Sequence, residues 1–294
     1  MIFLRKEEKK TPYLFLFPAL IVIAFVFLYP VGRVAYDSFF ATNGTRREFV
    51  GLENYAWMFK DKLFWQSVLN NLKLFLTVPP LIVLSLFLSI VLFYRIPGWK
   101  VYRVLLLFPY IISVTVVGII FDYLLREDGM VNNVLAGIGL GSWVQPWIGQ
   151  PSTALYTIMV VVIWKELGFG IILFLARLLS VDKAVIEAAN LDGATPLKAS
   201  LHILLPELKS VLSFYIILCL INMLSWMFNY VFVMTRGGPQ NSTYILEYYI
   251  YQMGIKYHQY GISSVLAVFL LIFAMLLVVI QFFVKRTIGG EENE

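Results

Sequence analysis

The sequence predicts an all-α integral membrane protein with six transmembrane helices. Of its 294 residues, 60% are hydrophobic and 14% are charged, whereas about a quarter of an average soluble domain is charged. Six continuous apolar stretches reach the length of about 20 residues that a helix needs to cross a bilayer. They are 13–32, 71–94, 104–125, 153–176, 210–233 and 262–284. Barrel strands would instead be short and alternate in polarity.

Basic residues divide the segments between these stretches into two faces. They are concentrated in four places: 1–12, 95–103, 177–209 and 285–286. Lysine and arginine are enriched in cytoplasmic segments that flank membrane spans. The pattern therefore predicts that the N-terminus and the C-terminus are both cytoplasmic.

The membrane domain is expected to run from 13 to 286, between cytoplasmic tails at 1–12 and 287–294. Its first apolar run is longer than the core of a signal peptide and has no cleavage site after it, so it is expected to be the first span. Long outer segments follow at 33–66 and 235–260. Aromatic residues beside a span are typical of the membrane interface, and we expect a short surface helix at 53–66.

A polar segment at 178–208 separates the fourth and fifth stretches and predicts a helix, a turn and a second helix on the cytoplasmic face. Asp182 suits the N-cap of the first helix, and Gly193 suits the position after its end. Thr195 and Pro196 suit the start of the second helix. Pro206 is expected to end it or to kink the entry into the fifth span.

The first of these two helices has features of a docking surface. Ala188 and Ala189 are small enough to let another backbone approach closely, and Glu187 offers a carboxylate to a basic partner or to a helix N-terminus. The same composition also suits an interfacial helix that rests on lipid headgroups. The residues alone leave both interpretations open.

The loop resembles that of a known family. Glu187-Ala188-Ala189, then three residues, Gly193, nine residues and Ile203-x-Leu205-Pro206 resemble the cytoplasmic loop of the membrane subunits of binding-protein-dependent ABC importers. Other segments resemble the maltose and glycerol-phosphate branch: 49–55, Trp164, Gly168-Phe169, Asp192-Gly193-Ala194 and 235–239. The resemblance extends from about residue 13 to residue 286.

This resemblance implies that the loop couples the membrane domain to an ATPase. The implied coupling residues are Glu187, Ala188, Ala189, Asp192, Gly193, Leu205 and Pro206. The chain has no Gly-x4-Gly-Lys-Ser/Thr phosphate loop, so ATP and magnesium are expected on separate ATPase subunits. The resemblance also implies a second, homologous permease subunit, an extracytoplasmic solute-binding protein, and a location in the cell membrane of a prokaryote.

Polar side chains in the fifth stretch are candidates for the translocation pathway. Asn222, Ser225, Trp226 and Asn229 follow a spacing of i, i+3, i+4 and i+7, which predicts one helical face. Amides and hydroxyls beside an aromatic ring suit a sugar, because its hydroxyls need donors and acceptors while its C–H faces stack on rings. Hydrogen bonding between neighbouring spans is the alternative.

The fourth stretch contains a second candidate group. Lys165 and Glu166 are charged residues near its middle, and such residues seldom face lipid. They are expected to line a cavity, to pair with another helix or to pair with a partner subunit. Gly168 and Phe169 follow, and Gly168-Phe169-Gly170 is a possible helix break of the kind found next to transporter binding sites.

Other function classes find little support in the sequence. A stand-alone carrier or channel driven by an ion gradient would need ionisable residues in several spans, and an intramembrane enzyme would need a catalytic constellation at bilayer depth. Neither pattern is present. His202 and His258 lie far apart in the sequence, so no metal site is predicted, and we expect neither a catalytic residue nor a cofactor bound by this chain.

Overall fold

Long apolar helices dominate the computed structural model, which describes residues 11–43 and 46–289. Four helical segments are long and apolar enough to cross a membrane: Phe15–Asp37, Lys62–Phe93, Ala154–Leu179 and Tyr260–Gln281. Two bent pairs reach the same length when each counts as one span: Trp99–Ile111 with Val114–Leu124, and Pro196–Glu207 with Lys209–Met223. The helical membrane fold is confirmed, with four spans or with six if both pairs count.

Two predicted spans are not single helices. The third, predicted at 104–125, is divided into α6 (Trp99–Ile111) and α7 (Val114–Leu124), whose axes differ by 99°. The fifth, predicted at 210–233, is divided into α13 (Lys209–Met223) and α14 (Met227–Met234) by a turn. Hydropathy detects the apolar length but not the extended backbone or the turn that interrupts it.

The described residues divide into two units. The first ends at Asp61 and takes in Tyr249–Leu271. It begins with α1 (Thr11–Ile23), a π-helical stretch (Ala24–Leu28) and α2 (Tyr29–Asp37). The apolar side chains from Phe15 to Val31 are exposed. A hairpin of β1 (Phe40–Asn43) and β2 (Arg46–Phe49) and the helix α3 (Glu53–Lys60) follow. The strands are a local departure from the predicted all-α fold.

Asn54 and Gly261 fix the backbone within this first unit. Asn54 is buried and donates hydrogen bonds to the carbonyls of Ser38 at 2.9 Å and Phe40 at 3.0 Å. A Cβ at Gly261 would lie 1.9 Å from the Phe40 carbonyl oxygen. A side chain at position 261 is therefore excluded by the backbone that Asn54 holds.

The second unit comprises Lys62–Tyr248 and resumes at Ile272. Its remaining elements are α4 (Lys62–Leu74), a 3-10 turn (Phe75–Thr77), α5 (Val78–Phe93), α8 (Met130–Gly137), a 3-10 turn (Gly141–Trp143), α9 (Ala154–Leu179), α10 (Lys183–Leu191), α11 (Pro196–Ala199), a π-helical stretch (Ser200–Leu204) and α12 (Leu205–Glu207). The segment α15 (Leu246–Tyr251), a π-helical stretch (Gln252–Lys256) and α16 (Tyr260–Gly289) complete the chain order.

Helix α9 is the centre of the second unit. Ile171 and Leu175 of α9 form a buried cluster with Leu92 of α5. A Cβ at Gly170 would lie 2.3 Å from the Ser85 hydroxyl oxygen and 2.5 Å from that of Tyr215. Gly170 therefore allows close packing, and the helix stays continuous through 168–170. The expected break at Gly168-Phe169-Gly170 is absent.

Candidate functional site

The first helix of the loop at 178–208 is defined by its two ends. The Asp182 carboxylate accepts a hydrogen bond from the Ala184 amide at 2.9 Å, which caps the N-terminus of α10. After the helix, Gly193 has a φ of +77°, and the Ala194 amide donates to the Ala189 carbonyl at 2.9 Å. A residue with a side chain is disfavoured at this φ. The expected cap and the expected glycine turn are both confirmed.

The second helix of the loop begins as predicted. The Thr195 hydroxyl accepts from the Lys198 amide at 3.4 Å, and Pro196 occupies the first helical position of α11. The helical path continues through the π-helical stretch and α12, which contains Leu205 and Pro206. It then bends by 67° into α13. Pro206 therefore lies just before the bend rather than at it.

Two anchors that sequence reasoning missed hold the loop to the spans. The Tyr94 hydroxyl, after the end of α5, donates to the Pro196 carbonyl at 3.0 Å. Arg177, near the end of α9, donates through Nε to the Glu207 carbonyl at 3.2 Å and forms an ion pair with the Glu207 carboxylate. Their only sequence signal is a polar side chain at a span end. The anchors attach the start and the end of the second helix to different spans.

Much of the loop surface is exposed. Glu187, Ala188, Asp192 and Gly193 are exposed, whereas Ala189 is buried against the chain. The loop also exposes apolar side chains, namely Val185, Leu191, Leu197 and Leu201, of which Leu191 is 90% exposed. Apolar side chains grouped on a surface mark places where proteins or membranes bind.

The polar residues of the fifth span lie on both sides of the turn. Asn222 is in α13, Ser225 and Trp226 are in the turn, and Asn229 is in α14, so they do not share one uninterrupted helix. All four keep accessible surface, and Trp226 is 56% exposed. The Ser225 hydroxyl donates to the Ile221 carbonyl at 2.6 Å. Within the described residues, the side-chain amides of Asn222 and Asn229 make no hydrogen bond.

Lys165 and Glu166 pair with each other and with two other helices. The Lys165 ammonium donates to Glu166 Oε1 at 3.4 Å and to the Tyr110 carbonyl, on α6, at 3.3 Å. The Tyr230 hydroxyl, on α14, donates to the same Glu166 oxygen at 2.9 Å. Lys165 is 5% exposed. Of the interpretations left open by the sequence, pairing with another helix is present within this chain.

Gly168 and Phe169 lie where α6 packs against α9. A Cβ at Gly168 would lie 3.0 Å from Tyr110 Cβ and 3.1 Å from the Leu106 carbonyl oxygen. The ring centroids of Phe169 and Tyr110 are 5.4 Å apart. Tyr230, which contacts Glu166, directly follows Asn229 in α14, so the two candidate groups lie on helices that contact each other.

Glu247, a carboxyl outside the spans, also has a partner that is far away in the sequence. Both carboxylate oxygens of Glu247 accept from Asn71 Nδ2, at 3.0 and 3.2 Å. Part of the Glu247 side chain remains accessible, but the flanking Leu246 and Tyr248 are buried. Burial of the carboxyl raises the pKa of Glu247 to about 7, although the hydrogen bond from Asn71 opposes this change. Asn71 Oδ1 in turn accepts from the Leu246 amide at 2.9 Å.

The described residues contain no group of three or more histidine, cysteine, aspartate or glutamate side chains that could hold a metal ion. Cys219 is buried in α13. The candidate site residues lie in two places, in the exposed helical loop and among the spans, where they are mainly polar.

No known family model matches this sequence. The chain is nevertheless similar to three bacterial proteins over nearly its whole length. The Probable ABC transporter permease protein YurN of Bacillus subtilis is 30% identical, with 97% of this chain and 99% of that protein covered. The sulfoquinovosyl glycerol transport system permease protein SmoG of Agrobacterium fabrum is 33% identical, with coverage of 93% and 90%. The sn-glycerol-3-phosphate transport system permease protein UgpA of Yersinia pestis is 30% identical, with coverage of 94% and 95%.

Solved structures share the fold. A chain of a bacterial ABC transporter involved in the import of the acidic polysaccharide alginate gives a TM-score of 0.83 at 23% identity, with 96% of this chain and 97% of that chain covered. A structure of a bacterial alginate ABC transporter in complex with an alginate pentasaccharide-bound periplasmic protein gives a TM-score of 0.83 at 22% identity, with coverage of 96% for both chains.

Proposed function

Because the chain belongs to the ABC transporter permeases, we propose that it is the membrane subunit of an ATP-driven importer. It forms the pathway for a sugar, an oligosaccharide or a related polyol phosphate that an extracytoplasmic binding protein delivers. The observation that carries this proposal is the loop at 178–208. Its helix pair is capped at both starts, anchored to two spans and exposed on a surface rich in small and apolar residues.

The loop is the docking site for a separate ATPase, which binds and hydrolyses ATP with magnesium. Exposed Glu187, Ala188, Asp192 and Gly193 lie on or next to α10, which is short and compact. The bend after α12 and the anchors at Tyr94 and Arg177 link the loop to three helices of the membrane domain. A displacement of α10 by the ATPase would therefore move α5, α9 and α13 together.

A second, homologous permease completes the pathway. Two of the cavities among the described residues have volumes of about 90 and 130 Å³, and each is smaller than the volume of about 300–1,000 Å³ that is typical of a small-molecule site. The smaller cavity borders Ser225 and is otherwise lined mainly by apolar side chains. The accessible amides of Asn222 and Asn229 and the exposed Trp226 then face a pathway between two subunits, where they bind solute hydroxyls and stack on sugar rings.

The chain crosses the cell membrane six times, with both termini in the cytoplasm. This arrangement counts α6 with α7 as one crossing and α13 with α14 as another, and it agrees with the distribution of basic residues. It places the loop at 178–208 on the ATPase side. The outer segments at 33–66 and 235–260 then face the binding protein.

The solute class is inferred from relatives, two of which are named for sulfoquinovosyl glycerol and sn-glycerol-3-phosphate. The test is reconstitution of the chain with the ATPase, second permease and binding protein encoded by its chromosomal neighbours. We expect uptake into proteoliposomes of the solute that the binding protein binds, dependent on ATP and on the binding protein. Uptake that persists without the ATPase would contradict the proposal.

The pathway assignment has its own test in the same system. Asn229→Ala and Trp226→Ala should raise the solute concentration needed for half-maximal uptake, while the ATPase still co-purifies in normal amount. Tyr123→Phe, a change at an exposed aromatic residue outside the proposed pathway, is the control. Unchanged solute dependence in the two pathway variants would assign this surface to packing between spans.

A further inference from the structure

The break in the third span creates a problem for its backbone. Between α6 and α7, Ile112 and Ser113 have ψ values of 139°, so both are extended. A helix that stops leaves carbonyls in its last turn without the amide donors of the next turn. Water satisfies such groups at a surface, but in hydrocarbon another part of the protein must do so.

Lys165 satisfies one of these carbonyls. In a continuous helix, the Tyr110 carbonyl would accept from the amide four residues later, which belongs to Val114, the first residue of α7. Instead, the Lys165 ammonium donates to this carbonyl at 3.3 Å. The ammonium also lies at the C-terminal end of α6, where the helix dipole is negative and a cation is stabilising.

The charge of Lys165 is balanced and held in place. Glu166 Oε1 lies 3.4 Å from the ammonium, and the Tyr230 hydroxyl donates to that oxygen at 2.9 Å. Removal of one partner from a buried ion pair leaves an uncompensated charge. Through its contacts with Tyr110 and Tyr230, the ion pair connects the end of α6, the middle of α9 and α14.

The two halves of the third span pack on different spans. The first half, α6, approaches α9 at Gly168, where an added Cβ would meet Tyr110 and Leu106. The second half, α7, approaches α14 at Gly118, where an added Cβ would lie 2.8 Å from Val233 Cγ1. The break lies where the path of the third span divides between the fourth and fifth spans.

We propose that Lys165 is a positioning residue that stabilises the break in the third span, with Glu166 as its counter-ion and Tyr230 as the group that orients Glu166. This set keeps α6 on α9 and α7 on α14 while the spans move during transport. The role concerns the backbone of the membrane domain and does not depend on which solute is carried.

The test measures the break directly by electron paramagnetic resonance in the assembled importer. Spin labels are placed at Val104 and Tyr123, both exposed, in a Cys219→Ala background. A straight helix would separate the two Cα atoms by about 28 Å, at 1.5 Å per residue, and the 99° bend makes the distance shorter. We expect Lys165→Met to lengthen or broaden the distance distribution, and Lys165→Arg to retain the short, narrow distribution.

Two further variants make the result decisive. Thr157→Val removes a hydrogen bond from α9 to the Trp147 carbonyl, away from the break, and should leave the distance unchanged. Lys165→Met with Glu166→Gln has no buried unpaired charge, so it tests the proposal if Lys165→Met alone does not fold. The proposal is wrong if either lysine-free variant retains the short, narrow distribution. This distance requires no transport, so a failed solute assignment would not affect it.

Uptake distinguishes positioning from simple loss of stability. At equal amounts of assembled complex, Lys165→Met should lower solute uptake per ATP hydrolysed at least tenfold, and Lys165→Arg should restore most of it. An unchanged ratio of uptake to hydrolysis in Lys165→Met would overturn the functional part of the proposal.

Discussion

The loop at 178–208 and the polar group around Lys165 are organised in opposite ways. In the loop, the contacts that define the two helices join neighbours: Asp182 caps α10 through the Ala184 amide, and Thr195 caps α11 through the Lys198 amide. Around Lys165, the contacts join residues that are far apart in the sequence. Lys165 and Tyr110 are 55 positions apart, and Glu166 and Tyr230 are 64 positions apart. The loop is exposed to potential partners, whereas the Lys165 group joins helices within the chain.

This difference has an energetic consequence. A cap lost from an exposed helix is partly replaced by water, so its removal costs little. A buried polar group that loses its partner retains the cost of its desolvation. Substitutions in contacts between distant residues should therefore have larger effects than substitutions in the loop, and they should couple to one another.

The largest expected effect concerns Glu247, whose contact with Asn71 also joins residues that are far apart in the sequence. Its carboxyl has a pKa of about 7 in the folded chain against an ordinary value of 4.5. The folded state holds this proton more tightly, so the contribution of Glu247 to stability falls as pH rises from about 4.5 to about 7. A shift of this size corresponds to a free energy on the order of 3 kcal/mol.

Glu247→Gln should remove this loss of stability at higher pH, because the amide carries no charge and its oxygen can still accept a hydrogen bond from Asn71. The thermal midpoint of the purified chain, measured at pH 5 and pH 8, should differ less in the variant than in the parent. At pH 8 the variant should be the more stable of the two. An equal pH difference in both proteins would show that Glu247 is charged at little cost.

The next effect is that of Tyr230→Phe. The substitution removes the donor to Glu166 and leaves the carboxylate with Lys165 alone, which should reduce the free energy of unfolding by about 1–3 kcal/mol. Thermal unfolding at neutral pH checks this, with Tyr123→Phe as a matched control on an exposed tyrosine. Equal midpoints for the two variants would mean that the bond to Glu166 contributes nothing net.

Gly193→Val should have a smaller effect. No atom lies within 4 Å of a Cβ added at this position, so the cost comes only from the φ of +77°. Left-handed backbone costs a residue with a side chain about 1–2 kcal/mol, and asparagine tolerates it better than valine. Amide hydrogen exchange in α10 should therefore accelerate more in Gly193→Val than in Gly193→Asn; the same rate in both would refute a backbone origin.

The caps should have the smallest effect. Asp182→Ala and Thr195→Ala each remove one cap, worth about 1 kcal/mol. Because the caps belong to separate helices, the effects on exchange of the Ala184 and Lys198 amides should be independent. Strong coupling between them would mean that the two helices of the loop form one cooperative unit.

The same contrast explains what the sequence could predict. The loop was predictable because Asp182, Gly193, Thr195 and Pro196 act on their own neighbours. The division of the third and fifth spans was not, because apolar composition is the same on both sides of a break. The partners of Lys165 were not predictable either, since Tyr110 and Tyr230 meet it only through the packing of α6 and α14 on α9. The continuity of α9 through Gly168 was not predictable for the same reason, because the glycines of this helix allow other helices to pack closely against it.

The central claim is that the loop docks an ATPase, and co-purification of the chain with the ATPase encoded by its chromosomal neighbours tests it most directly. Glu187→Lys reverses the charge of an exposed side chain on α10, and Gly193→Asp adds a charged side chain to the exposed turn after it. Glu48→Lys makes the same charge change at an exposed residue of β2 and serves as the control. We predict at least a tenfold loss of bound ATPase in both loop variants and none in the control. Normal ATPase binding with normal solute-coupled hydrolysis in both loop variants would contradict the claim.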